Sequence, residues 1–237
     1  MKRLLHLLSL FSLFCHALCA QDLAHSPPVK KKVVQTLIAP AVLITAGLIS
    51  FDRKYAVRDK RNENFPNFHT HADDYLQYVP IAIVYGLNAS GIKGKNDFAN
   101  RTVLLIKTEL LMTVVVQSLK YTSHVQRPDS SDFNSFPSGH TAQAFAAATF
   151  LQKEYGHISI WYSIGGYTLA GGVGALRILN NRHWLPDVLV GAGIGILSTN
   201  LVYLTHQYRW GKKKKTQAYI LPTYGNGPGF YFCLRLK

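Results

Sequence analysis

Acidic residues are scarce in this sequence, and so are cysteines. The 237 residues include 12 Asp and Glu against 26 Lys and Arg, which gives a formal net charge of +14 at pH 7. Three cysteines are present, at Cys15, Cys19 and Cys233, and the sequence contains neither an HExxH nor a CxxC pattern. With no such motif and few acidic residues, the sequence indicates no metal site. We expect neither a metal nor another cofactor.

Basic residues gather in short loops between apolar runs rather than on one polar face. A strong positive charge is typical of proteins that bind nucleic acid, an anionic membrane surface or an anionic substrate. Basic loops that alternate with apolar runs favour the membrane. We interpret Lys212–Lys215 as an anchor next to anionic lipid, and we expect no nucleic-acid partner.

The N-terminal segment, residues 1–20, reads MKRLLHLLSLFSLFCHALCA. A basic start, an apolar stretch and small residues at the end are typical of a secretory signal peptide, and we predict cleavage after Ala20. An uncleaved N-terminal anchor is the alternative. Cleavage would leave Cys233 as the only cysteine and would exclude an internal disulfide. Export without disulfides fits a protein of the bacterial cell envelope.

Six further apolar runs follow, each near the ~20 residues that a helix needs to cross the hydrocarbon core of a bilayer. They predict an all-α fold, a six-helix transmembrane bundle over residues 33–204, followed by a basic segment and tail over residues 205–237. Several runs are only marginally apolar, so a partly interfacial or soluble all-helical body is the alternative. The runs are Val33–Phe51, Tyr75–Ser90, Val103–Leu119, Pro137–Leu151, Ile158–Leu176 and Asp187–Leu204.

Glycine-rich stretches inside the later runs, such as VGAGIGIL, indicate helices that approach one another closely. The C-terminal tail GFYFCLRLK alternates apolar and other residues and predicts a short strand. The segment His69–Tyr75, HTHADDY, is interpreted as a solvated turn or one that faces lipid headgroups, rather than as a metal site.

The basic residues also predict the orientation of the bundle. The side that carries Lys30–Lys32 and Lys212–Lys215 holds slightly more Lys and Arg than the other, which favours it as the cytoplasmic side. A cleaved signal peptide conflicts with this orientation, because the chain would then reach Val33 from outside. Either the N-terminal segment is not cleaved in the usual way, or one apolar run does not span.

Three polar segments are predicted to emerge on the outer side of the bundle. The first follows the third apolar run, the second opens the fourth, and the third joins the fifth to the sixth. They are Lys120–Pro128 (KYTSHVQRP), Pro137–His140 (PSGH) and Arg177–Asp187 (RILNNRHWLPD).

Cations and a helix start in these segments favour an anionic ligand. Lys120, Arg127 and Arg177 lie at the ends of apolar runs, and guanidinium groups match phosphate oxygens in a bidentate way. Ser138 and Gly139 lie where a helix is predicted to begin, so unpaired N–H groups and the positive end of the helix dipole add to the attraction. Snorkelling cations and an ordinary N-cap are the alternative interpretation.

Two histidines accompany these cations. His183 and Asp187 are four residues apart, and Pro186 between them predicts a helix that begins near Leu185. A carboxylate in that first turn can accept a hydrogen bond from one imidazole nitrogen and leave the other nitrogen free to attack. The second histidine, His140, closes the PSGH segment.

This combination resembles the type-2 phosphatidic acid phosphatase superfamily. The family pattern K-x6-RP is met by Lys120 through Pro128, PSGH is complete, and the third motif R-x5-H-x3-D is met by Arg177, His183 and Asp187. The family's serine before that arginine is Leu176 here, which puts rate or substrate preference in doubt more than the reaction class.

The resemblance implies a metal-independent phosphatase that acts on a membrane lipid phosphate. His183 would form a phosphohistidine with Asp187 holding its ring, and His140 would protonate the leaving oxygen and then activate water. The phosphoryl oxygens would be held by Lys120, Arg127, Ser138, Gly139 and Arg177. The expected location is the inner membrane of a bacterial envelope, with the active site facing the periplasm.

Other activities and several substrates stay open. Undecaprenyl diphosphate, phosphatidylglycerophosphate, phosphatidate and lipid A are all candidate substrates. A soluble periplasmic acid phosphatase and a vanadium haloperoxidase of the same superfamily are alternatives, and a non-enzymatic anion transporter is a less favoured one. The sequence contains no pattern that predicts an oligomeric state.

Overall fold

A computed structural model of the chain describes residues 27–206, 217–224 and 228–235. The chain divides into two compact units after His206. The predicted signal peptide, residues 1–20, and the basic run Lys212–Lys215 lie outside the described residues, so both interpretations stay predictions.

The first unit is helical throughout its described part. A short 3₁₀ turn, Ser50–Arg53, joins the first two helices. The helices are α1 Pro27–Ile49, α2 Lys54–Asn64, α3 Ala72–Leu76, α4 Val79–Ala89, α5 Phe98–Ser123, α6 Gly139–Tyr155, α7 Ile160–Leu179 and α8 Leu185–Thr205.

The prediction of six membrane-crossing helices is supported only in part. Each predicted run falls on helical structure, but within the described residues three segments are long and apolar enough to cross a membrane: Thr36–Asn64, which joins most of α1 to α2, together with α5 and α8. Helix α4 has 11 residues, about 17 Å of helix, which is too short for a bilayer core. The three long segments indicate a membrane protein.

Helix α8 lies at the centre of this unit, where it packs against α1, α5 and α6. A Cβ atom at Gly191 would lie 2.5 Å from the carbonyl oxygen of Ser138, and one at Gly195 would overlap the carbonyl oxygen of Ala142. The backbones of α6 and α8 therefore approach so closely that only glycine fits at these two positions. The close packing predicted from the glycine-rich runs is confirmed.

A buried ion pair joins α5 and α6 near the first turn of α5. Arg101 Nε lies 3.1 Å from Glu154 Oε2, and both side chains are almost completely buried. Glu154 also accepts hydrogen bonds from Asn96, through its backbone N and side-chain Nδ2, and from the hydroxyl of Tyr203. This cluster ties the segment before α5 to α6 and α8.

The second unit contains a hairpin of two antiparallel strands, β1 Gln217–Tyr224 and β2 Pro228–Arg235. Gln217 lies opposite Arg235, and Tyr224 lies opposite Pro228. The strand predicted in the C-terminal tail is confirmed. The all-α prediction therefore holds for residues 27–206 and not for this unit.

Candidate active site

The three polar segments meet at one end of the helical unit. Ser138 donates its backbone N–H to the carbonyl oxygen of Asp187 at 3.0 Å, which joins the start of α6 to the start of α8. The indole Nε1 of Trp184 donates to the carbonyl oxygen of Gln126 at 2.8 Å, which joins the α7–α8 connection to the segment after α5. Residues distant in the chain are thus held close together.

Helix α6 begins where the sequence predicts. Ser138 is its N-cap, and the Ser138 hydroxyl accepts a hydrogen bond from the backbone N of Thr141. The prediction of an unpaired N–H at Ser138 is wrong, because Asp187 accepts that hydrogen. The first-turn N–H groups of Gly139 and His140 are the donors that this helix start can offer to an anion.

His183 is buried and has a defined tautomer. Its Nδ1 lies 2.8 Å from the carbonyl oxygen of Ser135, and a carbonyl can only accept, so Nδ1 carries the hydrogen and Nε2 carries the lone pair. Burial lowers the pKa of His183 to about 4, and the nearby charges of Arg177 and Lys120 act in the same direction while Asp187 opposes them. The ring is therefore neutral, and its Nε2 lone pair is available, at neutral pH.

Asp187 acts on His183 less directly than the sequence predicts. Its Oδ2 lies 3.5 Å from His183 Nδ1, while that oxygen accepts hydrogen bonds from the Ser135 hydroxyl and from the backbone N of Trp184. The expected hydrogen bond from imidazole to Asp187 is replaced by one to the Ser135 carbonyl, which Asp187 holds in place through the Ser135 side chain. The Asp187 Oδ1 atom is buried without a partner.

Arg177 presents an unused hydrogen-bond donor at this site. Its Nη1 donates to Asp73 Oδ2 at 2.6 Å, and its Nε is buried with no partner. The other oxygen of Asp73 accepts from Asn180 Nδ2 at 3.0 Å. A buried N–H without an acceptor is costly, and a bound anion would supply the missing oxygen.

The other two predicted cations are held by the segment between α5 and α6. Lys120 donates from Nζ to the carbonyl oxygen of Asn134, and its charge acts on the His183 ring. Arg127 bonds to Asp132 through Nε at 3.0 Å, so its terminal nitrogens are not part of that contact. Lys120 lies close to Gly139 as well.

His140 has a carboxylate partner that sequence reasoning missed. Its Nε2 lies 2.8 Å from Asp74 Oδ1, and Asp74 Oδ2 lies 3.2 Å from Nδ1 of His71. The interpretation of HTHADDY as a solvated segment holds for the exposed residues His69, His71 and Tyr75, but not for the acids, because Asp73 is buried against Arg177 and Asp74 contacts His140. The only available signal was a pair of adjacent acids in a chain that has few.

Asp73, Asp74 and His140 also form the one group, among the described residues, whose ligand atoms lie close enough to share a metal ion, within 4.8 Å of one another. The donor set fits a cation poorly. Both oxygens of Asp73 are bonded to Arg177 and Asn180, and Asp74 is shared between two imidazoles. A metal would have to displace these donors from a site that already contains a guanidinium, so we assign it no metal.

The arrangement is suited to chemistry on a tetrahedral anion. A neutral imidazole with a free lone pair lies near a guanidinium with an unused donor, and a helix start adds further N–H groups. A second imidazole, paired with a carboxylate, can carry a proton. Together these groups can attack a phosphoryl group, stabilise its oxygens and exchange a proton with it.

Comparison with known proteins agrees with this chemistry. Residues 101–211 match the model of the PAP2 superfamily. Lipid A 1-phosphatase from Porphyromonas gingivalis is 40% identical over 176 residues, a match that covers 73% of this chain and 39% of that relative. The chain thus matches about two fifths of the relative's length.

Two solved structures are similar to the chain. The PAP2-type phosphatidylglycerolphosphate phosphatase from Bacillus subtilis, described as transmembrane, has a TM-score of 0.50 at 21% identity, and the match covers 73% of this chain and 98% of that one. LpxE from Aquifex aeolicus has a TM-score of 0.48 at 24% identity, with 62% and 93% covered. The Bacillus protein shows a similar fold. On the strength of the matched family model, the 40% identical relative and the three motifs that meet at one site, residues 101–211 of this chain belong to the PAP2 superfamily.

Proposed function

We propose that this chain is a lipid phosphatase that works without a metal and passes through a phosphohistidine on His183. One observation supports the proposal most strongly. The Nδ1–H of a buried, neutral His183 is fixed on the Ser135 carbonyl, and nearby Arg177 has an Nε–H without an acceptor. A lone pair and an unsatisfied cationic donor at one site are what attack on a phosphoryl group requires.

In the first step, Nε2 of His183 attacks phosphorus and the bond to the leaving alcohol oxygen breaks. Arg177, Lys120 and Arg127, with the N–H of Gly139, stabilise the charge on the phosphoryl oxygens. Phosphoryl transfer depends mainly on such positioning and electrostatic stabilisation. Ser138 contributes as the N-cap that orients this helix start, and Asp187 contributes by holding Ser135.

His140 handles the proton in both steps. As an imidazolium it donates a proton to the leaving alkoxide oxygen, so that a neutral alcohol departs. The neutral ring then takes a proton from water while the water oxygen attacks the phosphohistidine. Inorganic phosphate leaves, and both histidines return to their starting states. Acid–base help of this kind is typically worth about 10²–10⁴ in rate.

The substrate we favour is lipid A carrying a phosphate. The 40% identical relative is a lipid A 1-phosphatase, and three described segments are long and apolar enough to cross a membrane, where such a lipid is found. The site lies at the C-terminal end of α5 and the N-terminal end of α8, both candidate spans, so it would open at the membrane rim. We place it in the inner membrane of a bacterial envelope, on the periplasmic side, because of the bias in basic residues.

Rapid-quench labelling tests the proposal. Purified protein in detergent is mixed with ³²P-labelled lipid A, phosphatidylglycerophosphate, phosphatidate and undecaprenyl diphosphate, each in a separate reaction. We expect phosphate release to be fastest from lipid A and a transient protein label that is labile in acid and stable in base. His183→Ala should form no label and should lose at least about 10³-fold in kcat/KM.

Two outcomes would contradict parts of this proposal. A His183→Ala protein that remains folded and still forms the label would remove His183 as the nucleophile. Faster release from another lipid of the panel would leave the phosphatase intact but replace the substrate.

A further inference from the structure

The short helix α3 holds two adjacent acids that contact different parts of the site. Asp73 is buried and bonds to Arg177 and Asn180. Asp74 points to His140 and His71. Because neighbouring residues of one helical turn have separate partners, the helix links the phosphate-binding side of the site to the proton-transfer side.

The position of α3 is fixed by contacts just before the Asp pair. Thr70, just before the helix, exchanges two hydrogen bonds with the side chain of Asn180, one in each direction at 2.9 Å. Since Asn180 follows α7 directly, Asp74 is held at a defined distance from the α7–α8 connection that carries His183. The contact with His140 is therefore built into the fold.

We propose that Asp74 is a positioning residue for His140, one that fixes the ring tautomer and stabilises the imidazolium that gives its proton to the leaving oxygen. This inference rests on the phosphatase proposed above and adds a residue to its machinery. Asp74 does not touch the phosphoryl group in this assignment. It acts only through His140.

The tautomer follows from the nature of the partner. A carboxylate can only accept hydrogen bonds, so the hydrogen of this contact belongs to His140 Nε2. Nδ1 is then the nitrogen that gains and loses a proton during the reaction. In the acid form both ring nitrogens carry a hydrogen. After Nδ1 has given its proton to the alkoxide, Nε2 keeps its hydrogen and still donates it to Asp74, while Nδ1 has a lone pair. That lone pair accepts the proton of the attacking water.

The charges around His140 indicate a second role for the Asp74 carboxylate, which is to stabilise the imidazolium. The charges that act on this ring come from Arg177 on α7 and from Asp73 and Asp74 on α3. Arg177 disfavours a second cation nearby, and Asp73 is already neutralised by Arg177. Burial raises the pKa of Asp74, but hydrogen bonds from His71 and His140 and the charge of Arg177 outweigh it and hold that pKa below its usual value. Asp74 is therefore an anion at neutral pH and offsets the effect of Arg177 on His140.

Asp74→Asn provides the test, with a matched pair of amphiphilic phosphate monoesters as substrates. One ester releases an alkyl alcohol, which needs a proton to leave, and the other releases a nitrophenol, which leaves readily as an anion. We expect kcat/KM for the alkyl ester to fall at least about tenfold, a part of the 10²–10⁴ that acid–base help supplies, with little change for the nitrophenyl ester. The alkaline limb of the alkyl-ester pH profile should move to lower pH, because the imidazolium has lost a stabilising anion.

The control is Asp59→Asn, which removes an exposed carboxylate paired with Arg58 on α2 and should leave both esters unchanged. An equal loss for the two esters, or an unshifted pH profile, would overturn the inference, because a purely structural role predicts those results. A wild-type protein that hydrolyses neither ester would instead count against the proposed function itself.

If the Asp74→Asn variant does not fold, a measurement on the unaltered protein still tests the inference. In the ¹⁵N spectrum of protein labelled in its histidine rings, and assigned with His140→Gln, the neutral His140 ring should carry its hydrogen on Nε2. A neutral ring protonated on Nδ1 would overturn the assignment.

Discussion

Two buried arginine–carboxylate pairs lie toward opposite ends of the helical unit, and they differ in how completely they are satisfied. Arg101 pairs with Glu154 near the start of α5, whereas Arg177 pairs with Asp73 beside the C-terminal end of α5. Arg101 and Lys120 are 19 positions apart on α5, which corresponds to about 28 Å of helix. The two pairs therefore lie far apart in one scaffold.

The Glu154 carboxylate is saturated by protein groups. It receives hydrogen bonds from Arg101, Asn96 and Tyr203, and the Arg101 guanidinium lies against the ring of Tyr155. Each arginine has one buried nitrogen without a partner, Nη1 of Arg101 and Nε of Arg177, but beside the second pair Oδ1 of Asp187 is also buried without a partner. The first cluster uses both oxygens of its carboxylate, whereas the second has an unused donor and an unused acceptor beside His183, which favours the second cluster as the ligand site.

The sharpest test of this difference changes Arg177 while keeping its charge. Arg177→Lys can keep an ion pair with Asp73 but loses the planar donors that fit phosphate oxygens. We expect kcat/KM for a lipid phosphate to fall about 10²–10³-fold, with little change in thermal unfolding temperature in detergent. The kinetic measurement uses the substrate that proves fastest in the lipid panel.

Arg182→Lys is the matched control for Arg177→Lys. Arg182 lies in the same connection but forms a partly exposed pair with Asp129, and such pairs contribute only about 0–1 kcal/mol. If the two lysine variants lose the same amount of activity, the unused donor of Arg177 has no special role.

Glu154→Ala should give the opposite result to Arg177→Lys. Removing one partner of a buried pair leaves the other charge uncompensated and typically costs about 3–5 kcal/mol. We expect a large drop in thermal unfolding temperature, while the protein that remains folded at low temperature keeps a near-normal kcat/KM. A folded Glu154→Ala variant with a hundredfold lower kcat/KM would show that the two ends are coupled and would end the distinction between them.

Much of the site could be predicted from the sequence because its signals are local. A helix start needs a cap and a tolerated proline, so Ser138 before α6 and Pro186 at the start of α8 predict both boundaries. The spacing of His183 and Asp187 places both at the start of α8. These rules act over a few residues, which is why they could be applied without the structure.

The residues that the sequence did not reveal act over long distances in the chain. Asp73 and Arg177 are 104 residues apart, and Asp74 and His140 are 66 apart, so no local pattern links them. The second partner of His183 escaped prediction for a similar reason, since the Ser135 carbonyl that holds Nδ1 more closely than Asp187 does lies 48 residues away. Hydropathy also predicted six spans, whereas three segments of the described residues are long and apolar enough; α4 is too short at 11 residues, and the apolar run of α6 reflects burial within the unit.

The contact between α6 and α8 connects the two regions and gives the smallest predicted effect. At the site end it begins where Gly191 meets Ser138, and it continues through Gly195 and Ala142. Gly195→Ala would force a Cβ atom into the Ala142 carbonyl, and overpacking of this kind typically costs about 1–3 kcal/mol. Gly172 on α7 has nothing near the position of a Cβ, so Gly172→Ala should be neutral or stabilising by up to about 1 kcal/mol. Thermal unfolding of both variants in the same detergent measures the difference.

The same variant also tests whether the contact affects activity. Because the Gly195 clash lies beyond the residues that hold His183 and His140, activity of the folded Gly195→Ala protein should stay close to that of the unaltered chain. A selective loss of activity would mean that α6 and α8 set the geometry of the site as well as the stability of the bundle.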